Sequence, residues 1–191
     1  MSLRSSAGRW GSVAQSFHWI IVALILVQAA IGLYMVGLPK RPSIIPIYNF
    51  HKSLGLTILL LAVLRLAWRA VDRRPDMPAG MSQAQALGAR IGHVLLYGLL
   101  FAVPLSGWLF DSASNLRPLY WWGWLKLPHL VEADKAFAQT AQTLHVAIFW
   151  ALAVVAAGHA AIALVHHFVN RDDVLRRMLP FGRARTSRSQ P

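Results

Sequence analysis

The sequence predicts an all-α integral membrane protein, a four-helix bundle, on three observations. The chain of 191 residues is 56% hydrophobic and only 14% charged, whereas a soluble domain carries about 25% charged residues. Four apolar stretches, 17–38, 48–68, 91–110 and 143–168, are each at least 20 residues long. A hydrocarbon core about 30 Å thick is crossed by roughly 20 apolar residues at about 1.5 Å rise per residue. The net charge of +12 lies in short connectors and a tail between those stretches. That distribution excludes a nucleic-acid-binding domain, and the apolar content excludes a disordered chain.

The elements follow in order. The first stretch is too long for the apolar region of a signal peptide and lacks an Ala-x-Ala site near Pro39, so it reads as a span. Residues 39–46 are Pro-rich and stop it sharply. After the second span, residues 72–81 hold charges and two prolines and read as a water-exposed loop. The third span leads into a long connector, 111–142, whose Tyr120-Trp121-Trp122-Gly123-Trp124 run suits the headgroup zone, where amphipathic rings settle. Four spans make one domain, 1–180. Residues 181–191 form a basic tail expected to be disordered, and no internal repeat is visible.

Orientation follows from the arginines and lysines. Thirteen lie at the N-terminus, around the second connector and in the C-terminal segment, against six on the other side: Lys40, Arg41, Lys52, Arg117, Lys126 and Lys135. Both termini are therefore expected in the cytoplasm.

Ionisable side chains inside a bilayer are costly and mark function. Eight histidines fall at informative depths. His145 and His159 are 14 residues apart on the fourth span. Fourteen helical residues fall about 40° short of four full turns, so both rings share one face, about 21 Å apart along the axis. His166, seven residues on, continues that stripe, and His167 follows it. Such a separation is too large for one metal ion and suits two cofactors stacked across the bilayer. His51 lies at the depth of His145, and either His18 or His93 lies at the depth of His159. Paired neutral imidazoles on a haem iron give bis-histidine b-type ligation. The absence of cysteine removes thiolate zinc sites, iron–sulfur clusters, disulfides and covalent c-type haem.

The same 14-residue step leads from His18 to Gly32, from His51 to Arg65 and from His93 to Gly107. A glycine at the level of the other haem leaves room for a flat macrocycle against backbone. Gly55 lies one turn beyond His51. Arg65 falls at the inner level, where a haem propionate would neutralise it; snorkelling to the interface is the alternative. A lone membrane histidine is often an interhelical hydrogen-bond partner, which is the other reading of His93. Gln28 and Ser106 are buried polar residues expected in interhelical hydrogen bonds. A haem-free transporter is the reading that remains if no visible spectrum is found.

Taken together the motifs resemble those of the bacterial cytochrome b561 family, over roughly residues 14–180. They are Ser16-Phe17-His18-Trp19, Phe50-His51-Lys52-Ser53-Leu54-Gly55, Gly92-His93-Val94-Leu95-Leu96-Tyr97, Pro104-Leu105-Ser106-Gly107, Leu144-His145, Gly158-His159-Ala160-Ala161, Leu164-Val165-His166-His167 and Arg176-Arg177-Met178-Leu179-Pro180. The resemblance implies a four-helix bacterial inner-membrane cytochrome with two haem b groups. It implies His51 and His145 on the outer haem and His18 and His159 on the inner one.

Some members of that family act as superoxide:ubiquinone oxidoreductases, so the expected activity is superoxide oxidation on the periplasmic side with ubiquinone as acceptor. Lys52, Lys40, Arg41 and Lys126 are candidates for steering a small anion toward the outer haem. His93, His166 and His167 are candidates for quinone binding, proton delivery or propionate contact. The alternative is a cytochrome b subunit that carries electrons between a dehydrogenase or hydrogenase partner and the quinone pool, although no residue identifies such a partner.

Overall fold

The computed structural model describes residues 2–39, 41–77 and 81–180. It contains four helices: α1 (Ser12–Val36), α2 (Ile45–Val71), α3 (Gln83–Ser114) and α4 (Lys135–Phe168). A 3-10 turn, Pro42–Ile44, precedes α2, and an antiparallel hairpin of β1 (Tyr120–Trp121) and β2 (Leu125–Lys126) lies between α3 and α4. All four helices are long and apolar enough to cross a membrane.

Each helix starts before its apolar stretch, because hydropathy marks the hydrocarbon-spanning part whereas capping sets the ends. α3 opens on a capping box: Ser82 Oγ accepts from the Gln85 amide at 3.2 Å, and the Gln85 side chain accepts from the Ser82 amide at 2.9 Å. α4 opens on Asp134, whose Oδ1 accepts from the amides of Ala136 and Phe137. The chain therefore adds more than a turn of polar helix ahead of residues 91 and 143.

α3 packs most extensively on α4, α1 on α2, and α2 joins the two pairs through α3. Ile21 of α1, Leu54, Ile58 and Ala62 of α2 and Leu100 of α3 form the buried core, flanked by Leu24, Ile25, Ile31, Leu61 and Phe101. In sequence these residues fall between His18 and Gly32, between His51 and Arg65, and between His93 and Gly107. The core is thus an apolar plug between two polar levels. The outward faces remain apolar: Leu26, Val36, Val94, Val154 and Ile162 are all exposed, as helices in lipid require.

The end that carries both termini is tied together. Arg9 Nη2 donates to the carbonyls of Leu179 and Pro180, Gln15 Nε2 to that of Arg177, and Trp19 Nε1 to that of Met178. Ser5 donates through its amide and hydroxyl to the Asp72 carboxylate, which thus bonds to the N-terminal segment rather than standing free in a water-exposed loop. Residues 78–80 of that connector, Lys40 and the basic tail 181–191 lie outside the described residues.

At the opposite, distal end the aromatic run is more than a headgroup anchor. Trp122 (φ 52°) and Gly123 (φ 83°) take the left-handed conformation in the three-residue turn that joins the hairpin strands. The hairpin is pinned to α2. The Trp121 and Trp122 indoles both donate to Thr57 Oγ1, at 3.1 and 3.0 Å, and the Trp122 amide donates to Ser53 Oγ at 3.0 Å.

Candidate functional site

Two polar levels lie inside the bundle. At the distal level, His51 of α2 faces His145 of α4, with ring centroids 6.5 Å apart and planes at 86°. His145 Nδ1 lies 2.9 Å from the Val103 carbonyl and 3.1 Å from Ser106 Oγ, both on α3. A carbonyl only accepts, so Nδ1 carries the proton and Nε2 keeps its lone pair for a metal. Ser106 Oγ itself donates to the Val103 carbonyl at 2.8 Å.

Glycines make room for both rings. A Cβ at Gly32 would lie 3.2 Å from His51 Cε1, and a Cβ at Gly107 would lie 3.1 Å from His145 Cε1. The contact at each glycine is thus with an imidazole. Gln28 Nε2 donates to the His51 carbonyl at 2.9 Å, and Gly55 admits that amide, since a Cβ there would stand 3.2 Å from it. Gln28 and Ser106 therefore make the interhelical bonds that their buried polarity predicts. His51 Nδ1 is buried and has no hydrogen-bond partner among the described residues.

The level nearer the termini gathers one residue from each helix. His93 of α3 and His159 of α4 have ring centroids 5.3 Å apart. His18 of α1 packs its ring edge-on to Trp19, and Arg65 Nη2 of α2 lies 3.2 Å from His18 Nδ1. A guanidinium only donates, so this contact makes His18 Nδ1 the acceptor. Sequence spacing left His18 and His93 as equal partners for His159; the structure seats His93 beside His159 and His18 beside Arg65. The Arg65 guanidinium also lies over the Tyr97 ring, at 5.6 Å. Arg65 is thus engaged inside the bundle rather than extended to the interface.

In the last turn of α4, His166 Nδ1 pairs with Asp172 Oδ2, and Asn170 Nδ2 lies 3.4 Å from the same nitrogen. Asp172 was not singled out by sequence because it follows the helix and reaches back through a turn at Arg171 (φ 54°). His167 Nδ1 is buried without a partner among the described residues.

The steering candidates scatter. Lys52 forms an ion pair with Asp111 of α3, so its charge is offset locally and it is not the free cation that its place beside His51 suggested. Arg41 precedes the 3-10 turn and Lys126 lies on β2.

The family description for prokaryotic cytochrome b561 matches residues 9–181. The chain belongs to the prokaryotic cytochrome b561 family. It is 34% identical to cytochrome b561 homolog 2 of Escherichia coli (strain K12) over 186 residues, which are 94% of this chain and 95% of that protein. It is 27% identical to the probable superoxide oxidase CybB of Yersinia pestis over 164 residues, 85% of this chain and 91% of that protein. It is 24% identical to cytochrome b561 homolog 1 of Escherichia coli (strain K12) over 168 residues.

Membership makes the chain a membrane electron-transfer protein with b-type haem, and the distal level has the donor set for it. An imidazole nitrogen ligates a metal at about 2.0 Å, so rings on opposite sides of one iron have centroids about 6 Å apart. His51 and His145 stand at that separation. Among the described residues no group of three or more His, Cys, Asp or Glu gathers to hold a bare ion. Two imidazoles suit an iron whose equatorial nitrogens come from a porphyrin.

Proposed function

We propose that this cytochrome b561 family member holds two b-type haems and oxidises superoxide on the periplasmic side, delivering the electrons to ubiquinone, with both termini in the cytoplasm. The observation that carries the reading is the facing of His51 and His145 at a haem-spanning separation, with a second histidine level about 21 Å deeper by helical rise. His51 and His145 hold the distal haem. His159 holds the other with His18, the partner implied by the family motifs; His93, whose ring lies nearest His159, is the competing partner.

Haem iron supplies single-electron exchange, so two haems stacked through the bilayer link a one-electron donor to a two-electron acceptor. Two superoxide ions give up one electron each and leave as dioxygen. Ubiquinone takes both electrons and two protons.

The chain's residues set the conditions. Val103 and Ser106 hold the His145 ring with its lone pair directed away from them. The apolar core around Ile21, Ile58 and Leu100 keeps water from joining the two levels. Arg41 and Lys126 add positive charge at the distal end, which raises the encounter rate of a small anion. His166, aligned by Asp172, and His167 stand near the termini as quinone-binding or proton-delivering groups. The relative named a probable superoxide oxidase supports the choice of donor.

Stopped-flow mixing of the purified, haem-loaded protein with superoxide tests it. Millisecond haem reduction, followed by reoxidation on adding ubiquinone, is the expected result. Haem that stays oxidised until a dehydrogenase is supplied would instead make the chain a partner-dependent cytochrome subunit.

A further inference from the structure

α2 carries two arginines one helical turn apart, Arg65 and Arg69. Residues at that spacing lie on the same helix face, and both guanidiniums meet one ring on α3. Arg65 Cζ and Arg69 Cζ each lie 5.6 Å from the Tyr97 centroid, and Arg69 Cζ lies 5.8 Å from the Trp10 ring. Aromatic faces hold a guanidinium in place without cancelling its charge. Among the described residues neither arginine pairs with a carboxylate; the ion pairs there are Lys52 with Asp111 and His166 with Asp172.

Two like charges around one ring, half-buried at the end of a membrane-spanning helix, repel each other and are only partly hydrated. An anion with oxygen acceptors relieves both costs, and guanidinium forks match carboxylates and phosphates. The pair also sits at the histidine level nearer the termini. Arg65 touches His18, and Tyr97 lies one turn from His93 on α3.

We infer that Arg65 and Arg69, held by Tyr97, form a paired-guanidinium site that binds the two propionates of the haem at this level and turns its carboxylate edge toward the seam between α2 and α3. The inference rests on the di-haem reading and adds Arg69 and Tyr97 to the haem-binding residues. A lipid headgroup phosphate offers the same oxygen chemistry, so the test separates the two sources.

The full-length protein is loaded in detergent either with native haem or with haem whose propionates are methyl esters. Redox titration and transfer of haem to an excess of a haem-scavenging protein are read for wild type, Arg69→Met and Arg69→Lys. With native haem, Arg69→Met lowers the potential of one of the two components, because removing a cation favours the ferric state, and speeds release of that haem about tenfold. Arg69→Lys retains most of the wild-type potential. With esterified haem, which offers no carboxylate to a guanidinium, Arg69→Met and wild type release haem at the same rate.

An Arg69→Met protein identical to wild type with native haem overturns the inference. So does an Arg69→Met acceleration of haem release that persists with esterified haem, which would point to lipid phosphate or to packing. If Arg69→Met does not fold, Tyr97→Leu reads the same site with the same two haems. A wild-type preparation that never holds more than one haem defeats the di-haem reading and this inference together, whereas two haems without an ester-dependent effect defeat this inference alone.

Discussion

His145 Nδ1–H donates a hydrogen bond to the carbonyl of Val103 at 2.9 Å, across the interface between α4 and α3. That one contact sets the tautomer of the ring and leaves Nε2 free to ligate. A metal-binding imidazole is commonly oriented this way by the partner of its other nitrogen. Because the acceptor is backbone, no side-chain substitution removes it, and Ser106 is the adjustable member of the set.

The space that the His145 ring needs comes from Gly107, where a Cβ would lie 3.1 Å from Cε1. Gly107→Val places two further carbons there and displaces the ring. The expected outcome is a protein that keeps its helices by circular dichroism but loses one haem, with the Soret absorbance falling by about half in a di-haem cytochrome. Gly88→Ala, at a glycine with nothing within 4 Å of the added Cβ, should leave the spectrum unchanged.

Ligand substitutions separate the two levels. His51→Ala and His145→Ala should each remove the same spectral component and spare the other, read from split α-bands at low temperature. His18→Ala and His159→Ala should remove the second component. If His93→Ala removes it while His18→Ala does not, the ring that stands 5.3 Å from His159 is the ligand and the family-implied partner is wrong. Arg65→Leu should shift the potential of this second component only.

Thr57 anchors the aromatic hairpin through two indole donors. Thr57→Val keeps the shape but removes the acceptor from both. Each lost hydrogen bond costs about 1 kcal/mol, so thermal stability should fall by about 2 kcal/mol with haem content unchanged. Tryptophan emission should move to longer wavelength as Trp122 turns outward. No change in emission would show that the hairpin is held by other contacts.

Asp72 supplies a pH dependence at the terminal end. Desolvation raises its pKa, but hydrogen bonds from the Ser5 hydroxyl and amide and from the Arg73 backbone outweigh it, so the carboxyl is held below its ordinary value of 3.8. A group whose folded pKa is depressed contributes stability above its unfolded pKa and loses it as pH falls through the folded value. Stability attributable to the Ser5–Asp72 contact is therefore full at neutral pH, begins to decline below about pH 4 and is lost as pH falls through the depressed folded value. Ser5→Ala should lower thermal stability at pH 7 and have a smaller effect at pH 3; an equal loss at both values would assign the effect to packing.

Four apolar helices, their order and the shared levels of His51 with His145 and of His93 with His159 were legible in the sequence, because a bilayer imposes a length and a polarity that hydropathy reports directly. The 14-residue steps from His18 to Gly32 and from His93 to Gly107 likewise placed those glycines at the level where they meet His51 and His145. What the pattern could not contain was pairing across helices: the rotation of α1 that carries His18 to Arg65, the seating of His93 beside His159, the cancellation of Lys52 by Asp111, and the return of Asp172 to His166. Depth is a property of one helix, counted in residues. Side-chain partnership depends on how four helices turn about their own axes and on which carbonyls and rings they then present to one another, and only packing decides that.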